Sequence, residues 1–111
     1  MGIYYKEGIE NITKEGLGDL FLSVEWESGK LPNELVKAIK GSHSVITAWD
    51  DDKLIGLINA LSDGVLTAYF HYMLVNPSYQ GKGIGKEMMD KMLDRYKGYQ
   101  NKSNNCLSQC S

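Results

Sequence analysis

From Ile84 onward the apolar positions Ile84, Met88, Met89, Met92, Leu93 and Tyr96 recur every three to four residues, which predicts an amphipathic helix. Opposite charges four positions apart, Lys86 with Asp90 and Glu87 with Lys91, suit its wet face, and Gly98 stands where a helix stop belongs. Ahead of this helix, Val65 to Val75 is a long run rich in Leu, Tyr, Phe and Val. It is the longest predicted strand, and Pro77 ends it by removing a ladder donor. Strict alternation along that strand puts Tyr69 and His71 on one face and Tyr72 on the other.

Two further β-rich runs, Ser44 to Trp49 and Leu54 to Leu61, flank Asp50-Asp51-Asp52-Lys53 and predict an antiparallel hairpin. Ser62-Asp63-Gly64 then turns the chain into the long strand, so three strands meander. Nearer the N-terminus, Ile3 to Lys6 reads as a short strand. Thr13 offers an N-cap for a helix carrying Leu17, Leu20, Phe21 and Val24, although Gly16 and Gly18 each weaken it by about 1 kcal/mol relative to Ala. Pro32 suits the first position of a second helix with Leu35, Val36 and Ile39 on its apolar face, stopped at Gly41. The pattern changes after Tyr99. Gln100 to Ser111 contains Leu107 as its one aliphatic residue, so a buried strand is not expected there, and the chain divides into a domain at 1–99 and a polar, disordered or aberrant tail at 100–111.

A chain of 111 residues supports one small core. The formal charge of -2 supplies no basic surplus for a nucleic acid or an anionic membrane, although a single anionic cofactor remains compatible. With no apolar stretch near the roughly 20 residues that span a bilayer, and no signal pattern at the N-terminus, a cytoplasmic location is expected. Cys106 and Cys110 are compatible with a local bridge, half a metal site or neither, and no metal is expected. The three aspartates at Asp50 to Asp52 read as a solvated hairpin tip, His43 as a loop residue, and Met88, Met89 and Met92 as core packing.

The chemistry concentrates at Val75 to Lys86, Val-Asn-Pro-Ser-Tyr-Gln-Gly-Lys-Gly-Ile-Gly-Lys, where a strand meets a helix through a glycine-rich elbow. Amides crowded into such an elbow and onto the first helical turn lack intrahelical partners, and they form a concave donor array suited to a pyrophosphate. A Walker loop would need a hydroxyl after Gly-Lys, yet Gly85-Lys86 is followed by Glu87. A dinucleotide fingerprint would need Gly-x-Gly-x-x-Gly, yet Gly81, Gly83 and Gly85 alternate.

The run Gln80-Gly81-Lys82-Gly83-Ile84-Gly85 matches Gln/Arg-x-x-Gly-x-Gly/Ala, and in this it resembles the acetyl-coenzyme A signature of the GNAT N-acetyltransferases. Met73-Leu74-Val75-Asn76-Pro77 looks like that family's central strand and its following proline, and the element order over 1–99 is similar. The resemblance implies an α+β fold with a mostly antiparallel sheet flanked by helices, and transfer of an acetyl group from acetyl-coenzyme A to a primary amine of a small molecule or peptide. It further implies that Gly81, Lys82, Gly83, Ile84, Gly85 and Lys86 receive the diphosphate with help from the Gln80 side chain. Backbone groups of Met73 and Val75, on either side of Leu74, would hold the pantetheine arm.

Direct transfer to an amine needs a route for the amine's proton, and His71 and Tyr72 on the central strand are the candidate catalytic groups. Glu25, Trp26 and Glu27 follow the first helix, where the family often builds its acceptor site, and so are candidates for recognising a cationic amine. Family members generally continue past the cofactor helix with another strand, a helix bearing Asn and Tyr, and a closing hairpin. Gln100 to Ser111 has no counterpart of these, as a truncated or frame-shifted coding sequence would yield. The central strand is therefore expected to keep one edge unpaired and to invite a homodimer.

Overall fold

Apolar side chains on both faces of two central strands demand cover from both sides, and the chain supplies it. In the computed structural model, which describes residues 2–104, β1 (Ile3–Glu7) pairs antiparallel with β2 (Ser44–Asp50), β2 with β3 (Lys53–Ser62) and β3 with β4 (Thr67–Val75). A helix, α1 (Lys14–Ser23), and a second, α2 (Pro32–Lys40), joined through a 3-10 turn at Glu27–Lys30, cover one face with Leu17, Leu20, Phe21, Leu35 and Ile39. The other face receives α3 (Ile84–Arg95), whose Ile84, Met88 and Met92, with Tyr96 just beyond, pack on Ile46, Ile58, Phe70 and Met73. Met88 and Met92 are fully buried, each worth about 1.5–3 kcal/mol of transfer free energy.

Local signals place the ends as the sequence predicts. The Thr13 hydroxyl accepts from the Gly16 amide at 3.0 Å and caps α1, and Pro32 opens α2. The hairpin tip between β2 and β3 takes Asp51 into the left-handed region at φ 52°, with its carbonyl accepting from the Tyr4 hydroxyl at 2.6 Å.

Several details depart from the pattern. β4 starts at Thr67, two residues later than the apolar run, because Asp63 Oδ1 gathers the amides of Val65, Leu66 and Thr67 into a turn. Those three amides hold the Asp63 carboxyl below the usual carboxylate range. Leu93, on the predicted stripe, is 38% exposed at its margin.

Strict alternation along β4 also fails. Ile58 pairs with Met73 and Ala60 with Phe70, so two residues, His71 and Tyr72, face Asn59 alone in a bulge. The His71 and Tyr72 rings consequently stack at 4.1 Å rather than parting to opposite faces.

Asn101–Asn104 form a fifth strand, β5, parallel to β4 over Thr67 to Phe70. This corrects the expectation of an unstructured start to the tail and of an edge left unpaired along all of β4. Main-chain pairing onto an open edge needs no apolar side chain, which is why composition conceals it. The sheet order is β1-β2-β3-β4-β5. Residues 105–111, with Cys106 and Cys110, lie outside the described residues.

Candidate active site

The elbow between β4 and α3 is held by side chains and left open in its main chain. Pro77–Tyr79 form a 3-10 turn capped by Asn76, whose Oδ1 accepts from the Ser78 amide at 2.9 Å. Tyr79 then donates its hydroxyl to Asp50 Oδ2 at 2.6 Å, tying the elbow to the β2–β3 tip; this bond, with partial burial and the nearby Asp50 and Asp51 charges, raises the Tyr79 phenol above its usual value. Asp50 thus anchors the elbow, a task invisible in a run of three aspartates.

Beyond Tyr79 the chain turns through Gly81 at φ 81° and Gly83 at φ 80°, left-handed torsions that suit glycine. A Cβ built at either glycine would meet no atom within 4 Å, so the space before both is open. Among the described residues, no amide from Gly81 through Lys86 donates to a protein oxygen; the first bond of this segment is Glu87 N to Gly83 O at 3.0 Å. Gly85 and Ile84 are buried beneath this array. The elbow is therefore a row of unsatisfied donors at the positive end of a helix dipole.

Of the elbow's side chains, Gln80 turns back onto the strand end. Its Nε2 donates to the Val75 carbonyl at 3.0 Å, so it braces the elbow against the strand end. Lys86 pairs with Asp90 at 2.9 Å, and that bond and charge raise its pKa; the ammonium belongs to the wet face of α3. Lys82 is exposed and, among the described residues, has no ion-pair partner.

Among the described residues, no strand lies beside the edge of β4 next to the elbow. Asn76 N donates to Ile55 O at 2.7 Å, so alternation turns the main-chain groups of Leu74 toward β3 and those of Met73 and Val75 toward the opposite side. The described part of β5 covers only Thr67 to Phe70, leaving no described strand beside Met73 and Val75.

On the α1/α2 face, Trp26 packs against Tyr72 and Phe21 with ring centroids 5.5 and 5.7 Å apart. Next to it lies a recess of about 140 Å³ lined by Leu31, Glu34, Leu35, Ala38 and Tyr72. Of the three residues expected after the first helix, only Trp26 is brought to β4. Glu25 is exposed, and Glu27 is exposed and paired with Lys30 at 3.2 Å. Glu34 was missed by the sequence reading, although Leu31, Leu35 and Ala38 recur at helical spacing around it and mark a second face of α2.

The profile of the Acetyltransferase (GNAT) family matches residues 11–105 of this chain. The chain belongs to that family. It is 30% identical over 97 residues to an uncharacterised N-acetyltransferase from Bacillus methanolicus, covering 86% of this chain and 79% of the relative. Shorter matches reach plant acetyltransferases from Arabidopsis thaliana and Glycine max, of whose length the matched stretch spans 17% to 19%.

Among solved structures, a GNAT acetyltransferase from Streptococcus pneumoniae superposes with a TM-score of 0.80 at 27% identity, covering 94% of this chain and 75% of its own. An aminoglycoside 6′-N-acetyltransferase solved with coenzyme A shares the fold at a TM-score of 0.71 and 21% identity, over 88% of this chain and 57% of its own. The GNAT fold thus accounts for the α+β architecture, with strand, two helices, meander, elbow and helix in family order. Among the described residues, no helix is long and apolar enough to cross a membrane, and no cluster of side chains is arranged to hold a metal ion.

Proposed function

We propose that this GNAT domain transfers an acetyl group from acetyl-coenzyme A to the primary amine of a small molecule in the cytoplasm. The observation that carries the proposal is the row of amides from Gly81 to Lys86, unbonded to protein oxygen and facing open space at two left-handed glycines. A diphosphate fits this array: its oxygens need several donors, and among the described residues no atom lies within 4 Å of a Cβ built at Gly81 or Gly83. The relative crystallised with coenzyme A shares the fold and supports the same choice of ligand.

The Met73 main-chain groups and the Val75 amide on the edge of β4 next to the elbow would hold the pantetheine arm as an added strand, beside the Val75 carbonyl that accepts from Gln80. The amine nitrogen bonds to the thioester carbonyl carbon, the C–S bond breaks, and the departing coenzyme A thiolate takes a proton from solvent, so the chain's own residues have to place and deprotonate the amine. The recess beside Tyr72 is apolar apart from Glu34, and it is smaller than the roughly 300–1,000 Å³ common for drug-sized ligands. It therefore suits a compact amine with an apolar body, its ammonium drawn to Glu34. His71, stacked on Tyr72 at the bulge, is the group proposed to take the amine's proton, directly or through water.

Titration of the full chain with acetyl-coenzyme A, followed by calorimetry and by amide resonances, tests this function. Heat of binding with shifts centred on Gly81 to Lys86, and release of free thiol with a panel of small monoamines, is the expected result. Binding without thiol release for any amine would leave a coenzyme A-binding module, and no binding would end the proposal.

A further inference from the structure

A bulge breaks the ladder and turns a main-chain amide away from its carbonyl partner. At the bulge in β4 that amide belongs to Tyr72, and it donates to Asn59 Oδ1 at 2.8 Å. Asn59 is 1% exposed, and its other end is bonded too: Nδ2 donates to Ser42 Oγ at 2.8 Å. Ser42 Oγ in turn donates to the Ala38 carbonyl of α2 at 3.2 Å. A strap of three hydrogen bonds thus runs from the bulge through β3 to α2, and both of its ends, Tyr72 and Ala38, line the same recess.

We infer that Asn59 is a positioning residue for the cofactor edge of β4. A peptide lifted out of the ladder has no sheet partner to fix its tilt, so the Asn59 carboxamide fixes it instead. The tilt at Tyr72 sets the direction in which the next residue, Met73, presents its amide and carbonyl to that edge, and Val75 follows in the same register. Asn59 therefore governs grip on the pantetheine arm without touching it, while the elbow grips the diphosphate independently. The inference rests on the proposed use of that edge.

The test is calorimetry on the full chain with two probes, acetyl-coenzyme A and 3′-phosphoadenosine 5′-diphosphate, which carries the diphosphate but no pantetheine arm. Wild-type protein is expected to bind the complete molecule more tightly. Asn59→Ala is expected to shrink that preference by roughly three- to tenfold, the worth of one or two ordinary hydrogen bonds, with affinity for the fragment unchanged.

Ser42→Ala cuts only the far end of the strap and is expected to move the preference the same way by a smaller factor. A preference unmoved in Asn59→Ala overturns the inference, including the case where both affinities and the melting temperature fall together, as a purely structural role dictates. Should Asn59→Ala fail to fold, Ser42→Ala decides, and an unmoved preference there overturns it. Wild-type protein that binds neither probe refutes the elbow as a diphosphate site; one that binds both equally refutes the edge alone, and in either case the inference falls.

Discussion

The two ends of α3 differ in how their polar groups are satisfied. At the C-terminal end the side chains of Arg95 and Tyr96 are bonded to the sheet: Arg95 Nε donates to Ser44 Oγ at 2.7 Å and Nη1 to Glu7 at 2.6 Å. Tyr96 donates its hydroxyl to the same Ser44 oxygen at 2.7 Å and lies 2.6 Å from His43 Nδ1, with Tyr99 edge-on to its ring. At the N-terminal end the amides from Gly81 to Lys86 have no protein acceptor among the described residues. The first amides of any helix lack intrahelical partners, and here the exposed glycine turn extends that row, so this end is open where the other is bonded to the sheet. One end holds the helix to the sheet, and the other is the end proposed to receive the diphosphate.

The sharpest way to break that contrast is at Gly83. Replacing it with Val forces a β-branched residue to φ 80° and puts a side chain into the open space before the amides. Coenzyme A affinity is expected to drop by about a hundredfold or more, against a stability loss of about 1–3 kcal/mol. Calorimetry and thermal melting separate the two. At the other end, Tyr96→Phe removes the hydroxyl shared by His43 and Ser44. This is expected to cost about 1–3 kcal/mol of stability and leave coenzyme A affinity within error, as measured by denaturant unfolding and titration.

A milder probe is Gln80→Ala, which frees the elbow from the Val75 carbonyl. Affinity is expected to weaken roughly three- to tenfold with little change in melting temperature.

The smallest effect is alkaline. Because the folded-state pKa of Tyr79 is raised by its bond to Asp50, that bond stabilises below the unfolded phenol value and is lost as pH rises through the folded one. Stability should therefore decline above pH 10, the reference value of the phenol, more in wild-type than in Tyr79→Phe. Paired pH-dependent melts check this.

The hydrophobic period revealed α3 and both helices of the opposite face, because each buries one continuous apolar face, while unbroken apolar runs revealed the central strands of the meander, which are buried on both faces. Glycine spacing likewise exposed the elbow, since Gly81 and Gly83 hold torsions few other residues tolerate. What stayed hidden depends on main-chain pairing and on single side-chain bonds. β5 forms without apolar residues, and the β4 bulge needs only one unpaired position opposite Asn59. Neither Gln80 bound to Val75 nor Asp50 bound to Tyr79 has a spacing that announces it, because each joins residues brought together by turns.

Helix α3 also acts as a ruler. Its sheet-facing Met88 and Met92 and its anchored end at Arg95 and Tyr96 fix its azimuth, while its span sets how far the elbow stands from that anchor. One residue inserted after Lys86 would rotate the glycine turn by about 100° around the helix axis and change the aim of its amides. A full turn inserted there would restore the aim but carry the turn about 5 Å past the strand's end, so the helix's length is part of the site's specification.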